Sequence, residues 1–286
     1  MAELAKKEGR KLKTLSPMAK VSPYIMVNRN GATNQIHDTI CTDTLDEYIR
    51  RKKAEGLTGF NIMHIFVAAY VRVVSQRPGI NRFLRGQRVY ARNGIEVVIV
   101  AKKEMRLDAD DTCIKIPLSP SDTAEDVYKA FETAIEGYRQ KPAGAFDSCA
   151  KVLNYIPGLL MKFAIWFLKL LDYFGWLPRF LTRLSPFHGS LFITSMGSLG
   201  IPVIFHHLYD FGNLPIFLAF GAKYRKYEPD ATGEIHEKHY VDYSLVTDER
   251  ICDGFYYASA IKLFKSILRH PEKLDQAPEH IENDIR

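Results

Sequence analysis

Residues 248–254 read DERICDG and open directly onto FYYASAIKLFKSILRHPEKL, a run whose apolar residues recur at helical spacing. A turn that sets Asp248, Glu249 and Arg250 just ahead of an Asp253–Gly254 pair at the mouth of a helix has the form of an active-site signature. It raises one question: whether Glu249 can act as a base.

Ahead of the turn, HYVDYSLVTD reads as a strand, as do PIFLAFGAKYRKY and SLFITSM before it. Further back, CIKIPLSP, IEVVIVAKK and RVYA are β-rich, with Arg92, Asn93 and Gly94 as the turn between the last two. PYIMVNRN and NQIHDTICT read as two more strands. Helices are expected at TDTLDEYIRRKKAEG, whose Thr/Asp start can cap it, and at SPSDTAEDVYKAFETAIEGYRQK. A third, the strongly apolar FNIMHIFVAAYVRVVSQRPG, is ended by Pro78 and Gly79. Strands and helices mix without strict βαβ alternation, which points to an α+β fold with a mostly antiparallel or mixed sheet. No repeat or low-complexity linker divides the chain, so one domain is expected at 21–275, between a flexible basic N-terminus at 1–20 and a polar tail at 276–286.

With 47% hydrophobic and 25% charged residues, the chain is globular rather than disordered. Its net charge of +6 suits anionic partners: cofactor phosphates, an anionic membrane surface or nucleic acid. Much of the excess is local, in MAELAKKEGRKLK and in RRKK at 50–53, where a solvated face is the bland reading. The basic residues lack an aromatic-interleaved patch or a recognised module, which argues against nucleic acid. Cys41, Cys113, Cys149 and Cys252 show no C-x-x-C spacing and no apolar leader is present, so a reducing cytoplasm is the expected home, without disulfides or zinc.

The ordered set GSLFITSMGSLGIPVIF, LPIFLAFGAKYRKY and YSLVTDERICDGFYYASAIKLFKSILRHPEKL resembles the C-terminal half of the catalytic domain of 2-oxoacid dehydrogenase acyltransferases. There a Thr/Ser-rich strand runs into a Leu-Gly turn, an apolar strand ends in Gly, and a DHRxxDG signature opens the last helix. The wording CDGF is also similar to chloramphenicol acetyltransferase, which shares the fold. With the apolar helix at 60–77, PGINRF and two strands, the resemblance covers roughly 20–147 and 188–275. It implies a chloramphenicol acetyltransferase-like two-layer sandwich, a mixed sheet with helices on one face. It also implies a homotrimer with sites between subunits, and coenzyme A or an acyl-CoA as substrate. No lipoyl segment is seen in the chain, so a role as a dehydrogenase-complex core would need a lipoyl carrier in trans.

In that family the signature His takes the proton from the thiol of coenzyme A or dihydrolipoamide. A hydroxyl of the neighbouring subunit hydrogen-bonds the tetrahedral oxyanion, worth roughly a few kcal/mol. By the resemblance the hydroxyl falls on Thr194, with Ser195 one place along. Asp253 takes the place of a structural Asp, with Arg29 as its expected ion-pair partner, and Asp248, Arg250 and Gly254 match in kind. Position 249 departs. A thiol of pKa about 8.5 gives its proton to an imidazole at roughly 2.7 kcal/mol uphill, and to an ordinary carboxylate at roughly 5.7 kcal/mol. The difference is about two orders of magnitude in rate, which burial of the carboxylate would narrow. Two classes of function follow: an acyltransferase with Glu249 as base, or a catalytically silent trimeric binding or scaffold protein.

HHLYDFG at 206–212 is a second place to look for a base. It is similar to the HHxxxDG of acetyltransferase relatives, but its Asp sits one residue too close to the second His. Either His206 or His207 supplies the base from a neighbouring loop, or both are surface or interface histidines. His236 and His239 flank a hairpin turn and look ordinary, and no cluster has metal-ligand spacing.

Residues 152–184 are not explained by the resemblance, and mark an apolar helical insertion within 148–187. LLMKFAIWFLKLLDYFGWL is bracketed by Pro157–Gly158 and Pro178, with Lys162, Lys169 and Asp172 on one side of a helix and a wide apolar face opposite. It is too short and too charged to span a bilayer. Three readings stay open for 159–177: an added core element, a partner or oligomer contact, or a peripheral membrane contact.

Overall fold

The structure, a computed structural model, describes residues 8–102, 111–140 and 155–286. It begins with order where the sequence suggested a loose arm. Gly9–Lys11 (β1) pairs with residues 90–92, and Leu12 is buried with Val89 and Ala91. The strand expected over PYIMVNRN is a helix at its start, Pro17–Ile25 (α1). Ser16 caps it by accepting from Ala19 N at 3.3 Å, and Pro17 presets the first turn. That start outweighs the β preference of Tyr24 and Ile25.

Thr33–Cys41 (β2), Asp43–Ala54 (α2) and Ile62–Gln76 (α3) follow as the sequence implied. The start of α3 is a capping box in which Asn61 and His64 satisfy each other's backbone donors. Phe83–Arg85 (β3) and Arg88–Arg92 (β4) join through Gly86 and Gln87, both at φ near +55°, as a two-residue hairpin turn requires. The chain bends at Asn93 and Gly94 between the two β runs, as expected, but the runs do not pair with each other. β4 pairs with β1 and β3 in a separate three-stranded sheet, and Ile95–Lys102 (β5) enters the main one.

Asp111–Leu118 (β6) lies beside β5, and Ala124–Arg139 (α4) starts on a Thr123–Asp126 capping box. The insertion forms Gly158–Phe174 (α5) and Arg179–Leu184 (α6). Gly175 ends α5 at φ +71°, and Pro178 starts α6. No side chain of α5 is buried, so it is not an added core element. Leu191–Ser195 (β7) is followed by Ile216–Phe220 (β8) and Tyr224–Pro229 (β9). These last two replace the single strand expected over PIFLAFGAKYRKY. Gly221 separates them, because a Cβ there would lie 2.6 Å from Val203 N. Ile235–Asp248 (β10) and Gly254–Arg269 (α7) complete the fold.

The main sheet runs β2-β10-β8-β7-β5-β6, with β9 pairing the outer half of β10. β5, β7 and β8 are parallel and the other pairings antiparallel, so the sheet is mixed. Helices α2, α3, α4 and α7 cover one face. α3 is apolar on nearly all sides and is almost wholly buried there, with Phe66 stacked on Phe220 and Phe264 at 5.2 and 5.9 Å. The opposite face carries a smaller cluster around Phe192, Phe217 and Val246, joined by Leu208 and Leu214 of the 196–214 connection.

The C-terminal tail is polar but pinned. Arg82 donates to both oxygens of Asp284 at 2.8 and 2.6 Å, Glu282 N donates to Ser75 O at 2.8 Å, and Arg286 O accepts from Thr14 N at 2.8 Å.

Candidate active site

The signature turn is built on a buried carboxylate held between two guanidinium groups. Asp248, 1% exposed at the end of β10, accepts from Arg250 Nε and Nη2 at 2.8 Å each. Arg29 Nε lies 3.4 Å from Oδ2, the oxygen that also accepts from Arg250 Nη2. The two arginines then reach in different directions. Arg250 Nη1 donates to the carbonyls of Met26 and Val27 at 2.8 and 3.2 Å, while Arg29 donates to those of Tyr209 and Gly212 at 2.6 Å each. One acid thereby ties together the chain entering β2, the 206–212 connection and the turn. Burial lowers the pKa of Arg29, against the pull of Asp248.

Arg29 is therefore an ion-pair residue, but its partner is Asp248 and not Asp253. Asp253 instead caps α7, accepting from Tyr256 N at 2.9 Å. Tyr256 also fixes the helix to the 78–81 turn by accepting from Gly79 N at 2.8 Å. Cys252 is pushed up to about 12 by burial, so its thiol stays protonated.

Glu249 sits on this anchored turn with its backbone held and its side chain exposed. Its N–H donates to Ala32 O at 2.9 Å, and its carboxylate has no hydrogen-bond or ion-pair partner among the described residues. Thr194 is at the other end of the sheet. It pairs with Ala219, which pairs with Ser244. From Ser244 to Asp248 is roughly 14 Å of strand at about 3.4 Å per residue, with Glu249 beyond. One protomer therefore does not bring Thr194 and Glu249 together.

Alternation along β7 decides between the two hydroxyls. Leu191 and Ile193 point into the helix-covered core and Phe192 to the opposite face. Thr194 thus faces the side opposite α2, α3, α4 and α7, and Ser195 the side they cover. The Thr194 hydroxyl has no hydrogen-bond partner among the described residues.

His206 shares that face. Its ring stacks on Phe217 at 3.9 Å and 4°, and Nδ1 lies 2.9 Å from His207 O. Burial against Phe217 lowers its pKa, which keeps the imidazole neutral at neutral pH. Phe217 is two residues from Ala219 on β8, the partner of Thr194, so His206 stacks on a ring of the same face as Thr194. His207 is exposed and packs edge-on against Tyr209. The rest of HHLYDFG has a structural use: Gly212, at φ +84°, passes so close to Phe187 O that a Cβ would fall 2.1 Å from it.

Two constellations were not legible in the sequence. The Arg29–Asp248–Arg250 cluster had a local clue in the Asp-x-Arg spacing at 248–250. The other is His188, 2% exposed, whose Nε2 lies 3.4 Å from Asp172 and whose Nδ1 lies 2.9 Å from Ser185 Oγ. Burial would raise the Asp172 pKa, but His188, Arg85 and Arg29 together hold it below the usual carboxylate range. This contact ties α5 to the domain. Asp230, Glu234 and His236 do gather their ligand atoms within 4.8 Å, in the exposed hairpin. There Asp230 accepts from Thr232, Glu234 and His236, which is how such a turn is held.

No protein-family model matches the sequence, and no curated protein matches it. Solved structures do. A probable dihydrolipoamide acetyltransferase from Listeria monocytogenes superposes with a TM-score of 0.56 at 13% identity, covering 92% of this chain and 95% of that one. The cubic core of a pyruvate dehydrogenase multienzyme complex gives 0.55 at 12% identity, covering 92% and 93%. Chloramphenicol acetyltransferase gives 0.50 at 11%, covering 91% and 99%. At this identity the likeness shows the fold. The chain has the α+β, chloramphenicol acetyltransferase-like architecture, with a mixed sheet and helices on one face.

Proposed function

We propose that this protein is an acyltransferase that uses coenzyme A thioesters and works as a homotrimer, each site being formed between two copies. The observation that carries the reading is the placement of two polar groups, Thr194 and Glu249, without partners among the described residues, at opposite ends of one sheet. They can serve one reaction only if one copy's Thr194 faces its neighbour's Glu249. In that arrangement the acceptor attacks the thioester carbonyl while Glu249 takes its proton. Thr194 donates to the tetrahedral oxyanion. The intermediate then expels the coenzyme A thiolate, which recovers the proton from Glu249.

A second reading has its own observation. His206 is neutral, partly buried and on the face of Thr194, so it can serve as base within one copy. The two separate by substitution. Glu249→Ala abolishes thiol release from acetyl-CoA in the first reading and Glu249→His raises it, whereas His206→Gln abolishes it only in the second. Calorimetry with coenzyme A and acetyl-CoA tests the whole proposal. Binding without turnover would leave a silent scaffold, and no heat with either would remove the coenzyme.

A further inference from the structure

A helix of 17 residues with no buried side chain is an expense the domain does not recover by packing. On α5, Leu159, Phe163, Trp166, Phe167, Leu170 and Phe174 are each between 36% and 86% exposed. At 100° per residue they fall within one arc of the helix, a continuous apolar face. Lys162 and Lys169 border that face, both exposed and both without an ion-pair partner among the described residues. The helix's one carboxylate, Asp172, is turned away from it against His188. At its C-terminal end α5 rests on the β3–β4 turn, where a Cβ on Gly86 would meet Tyr173 O at 2.7 Å.

That same turn seats α1. Gln87 bonds Tyr173 OH at 3.2 Å on one side and donates to Pro23 O at 3.5 Å on the other. α1 is also apolar and exposed, with Met18 at 70% and Ile25 at 67%, and Lys11, Lys13, Lys20 and Arg88 are exposed around it.

We infer that α5 docks on an anionic phospholipid surface, lying in the plane of the headgroups with its aromatic face down. At about 1.5 Å per residue the helix is roughly 26 Å long, shorter than the hydrocarbon core, and no described helix is long and apolar enough to cross a membrane. Charge selects the occupant. The face offers cations and no acid, so an identical face on a second copy would give its lysines no partner, whereas an anionic bilayer receives them. Trp166 and Trp176 suit the headgroup level. The inference is independent of the chemistry proposed above.

Both tryptophans of the chain lie in this segment, so their emission reports on it directly. The test is a titration with vesicles of phosphatidylcholine alone and with about one third phosphatidylglycerol. The expected result is a blue shift with the anionic vesicles, weakened by salt. Lys162→Gln/Lys169→Gln should lower partition about 25-fold, at about fivefold per lysine. Phe163→Glu/Phe167→Glu should abolish it, and since both side chains are exposed the fold should persist. Unchanged emission with either vesicle, or equal partition of the Phe→Glu variant, overturns the inference. So does a fall in the association state of that variant in lipid-free buffer, which would assign the face to a second copy.

Discussion

Replacing Asp248 by Asn probes the anchor of the signature turn. The carboxylate takes two short hydrogen bonds from Arg250 and a 3.4 Å contact from Arg29, at 1% exposure. An amide keeps one acceptor oxygen but turns an NH2 group toward two buried guanidiniums. Breaking a buried pair in this way costs about 3–5 kcal/mol, because the stranded charge has no water to return to. For a chain of this length that is a fall of roughly 10 °C in Tm. The assay is urea denaturation at pH 7 on the wild type, Asp248→Asn, Arg29→Met and the double variant. With one guanidinium already removed, Asp248→Asn should cost less, giving a coupling of about 1–3 kcal/mol. A loss under about 1 kcal/mol for Asp248→Asn, or simple additivity, would refute the cluster as an anchor.

Asp253→Ala should cost only about 1 kcal/mol, the value of an N-cap, because its carboxylate does not pair with Arg29. Denaturation midpoints of the two Asp variants rank the roles. His64 gives a pH signature: burial takes its imidazole from 6.5 to about 4. The unfolded chain binds a proton below about 6.5 that the folded chain refuses until about 4, so this stability is full above that window and falls as pH drops through it, by up to about 3 kcal/mol. His64→Gln keeps an acceptor for Asn61 N–H and should flatten the difference between pH 7 and pH 4.5 relative to wild type.

Long elements with strong periodicity were legible in the sequence: α3, α7 and β10 fall where their patterns place them. Short ones were not. β1 has three residues, and α1 depends on a Ser-Pro start that competes with β-preferring residues in the same window. Arg29 was legible as an ion-pair residue while its acid was not. The register that sets Asp248 opposite Thr33 is a long-range pairing that no local spacing encodes. Asp253 matched the resemblance in letter, but the demand of a helix N-terminus for an acceptor claims it. The insertion's apolar helix was found from its pattern, and only the structure distinguishes an exposed helix from a buried one.

Mixing two inactive variants tests the shared site most directly. Thr194→Val and Glu249→Gln should each lose at least about 100-fold in thiol release from acetyl-CoA. Co-expressed in equal amounts, they should recover about one quarter of wild-type activity, since a site takes Thr194 from one copy and Glu249 from the next and each is intact half the time. Activity no higher than that of either variant alone would contradict a site made by two copies.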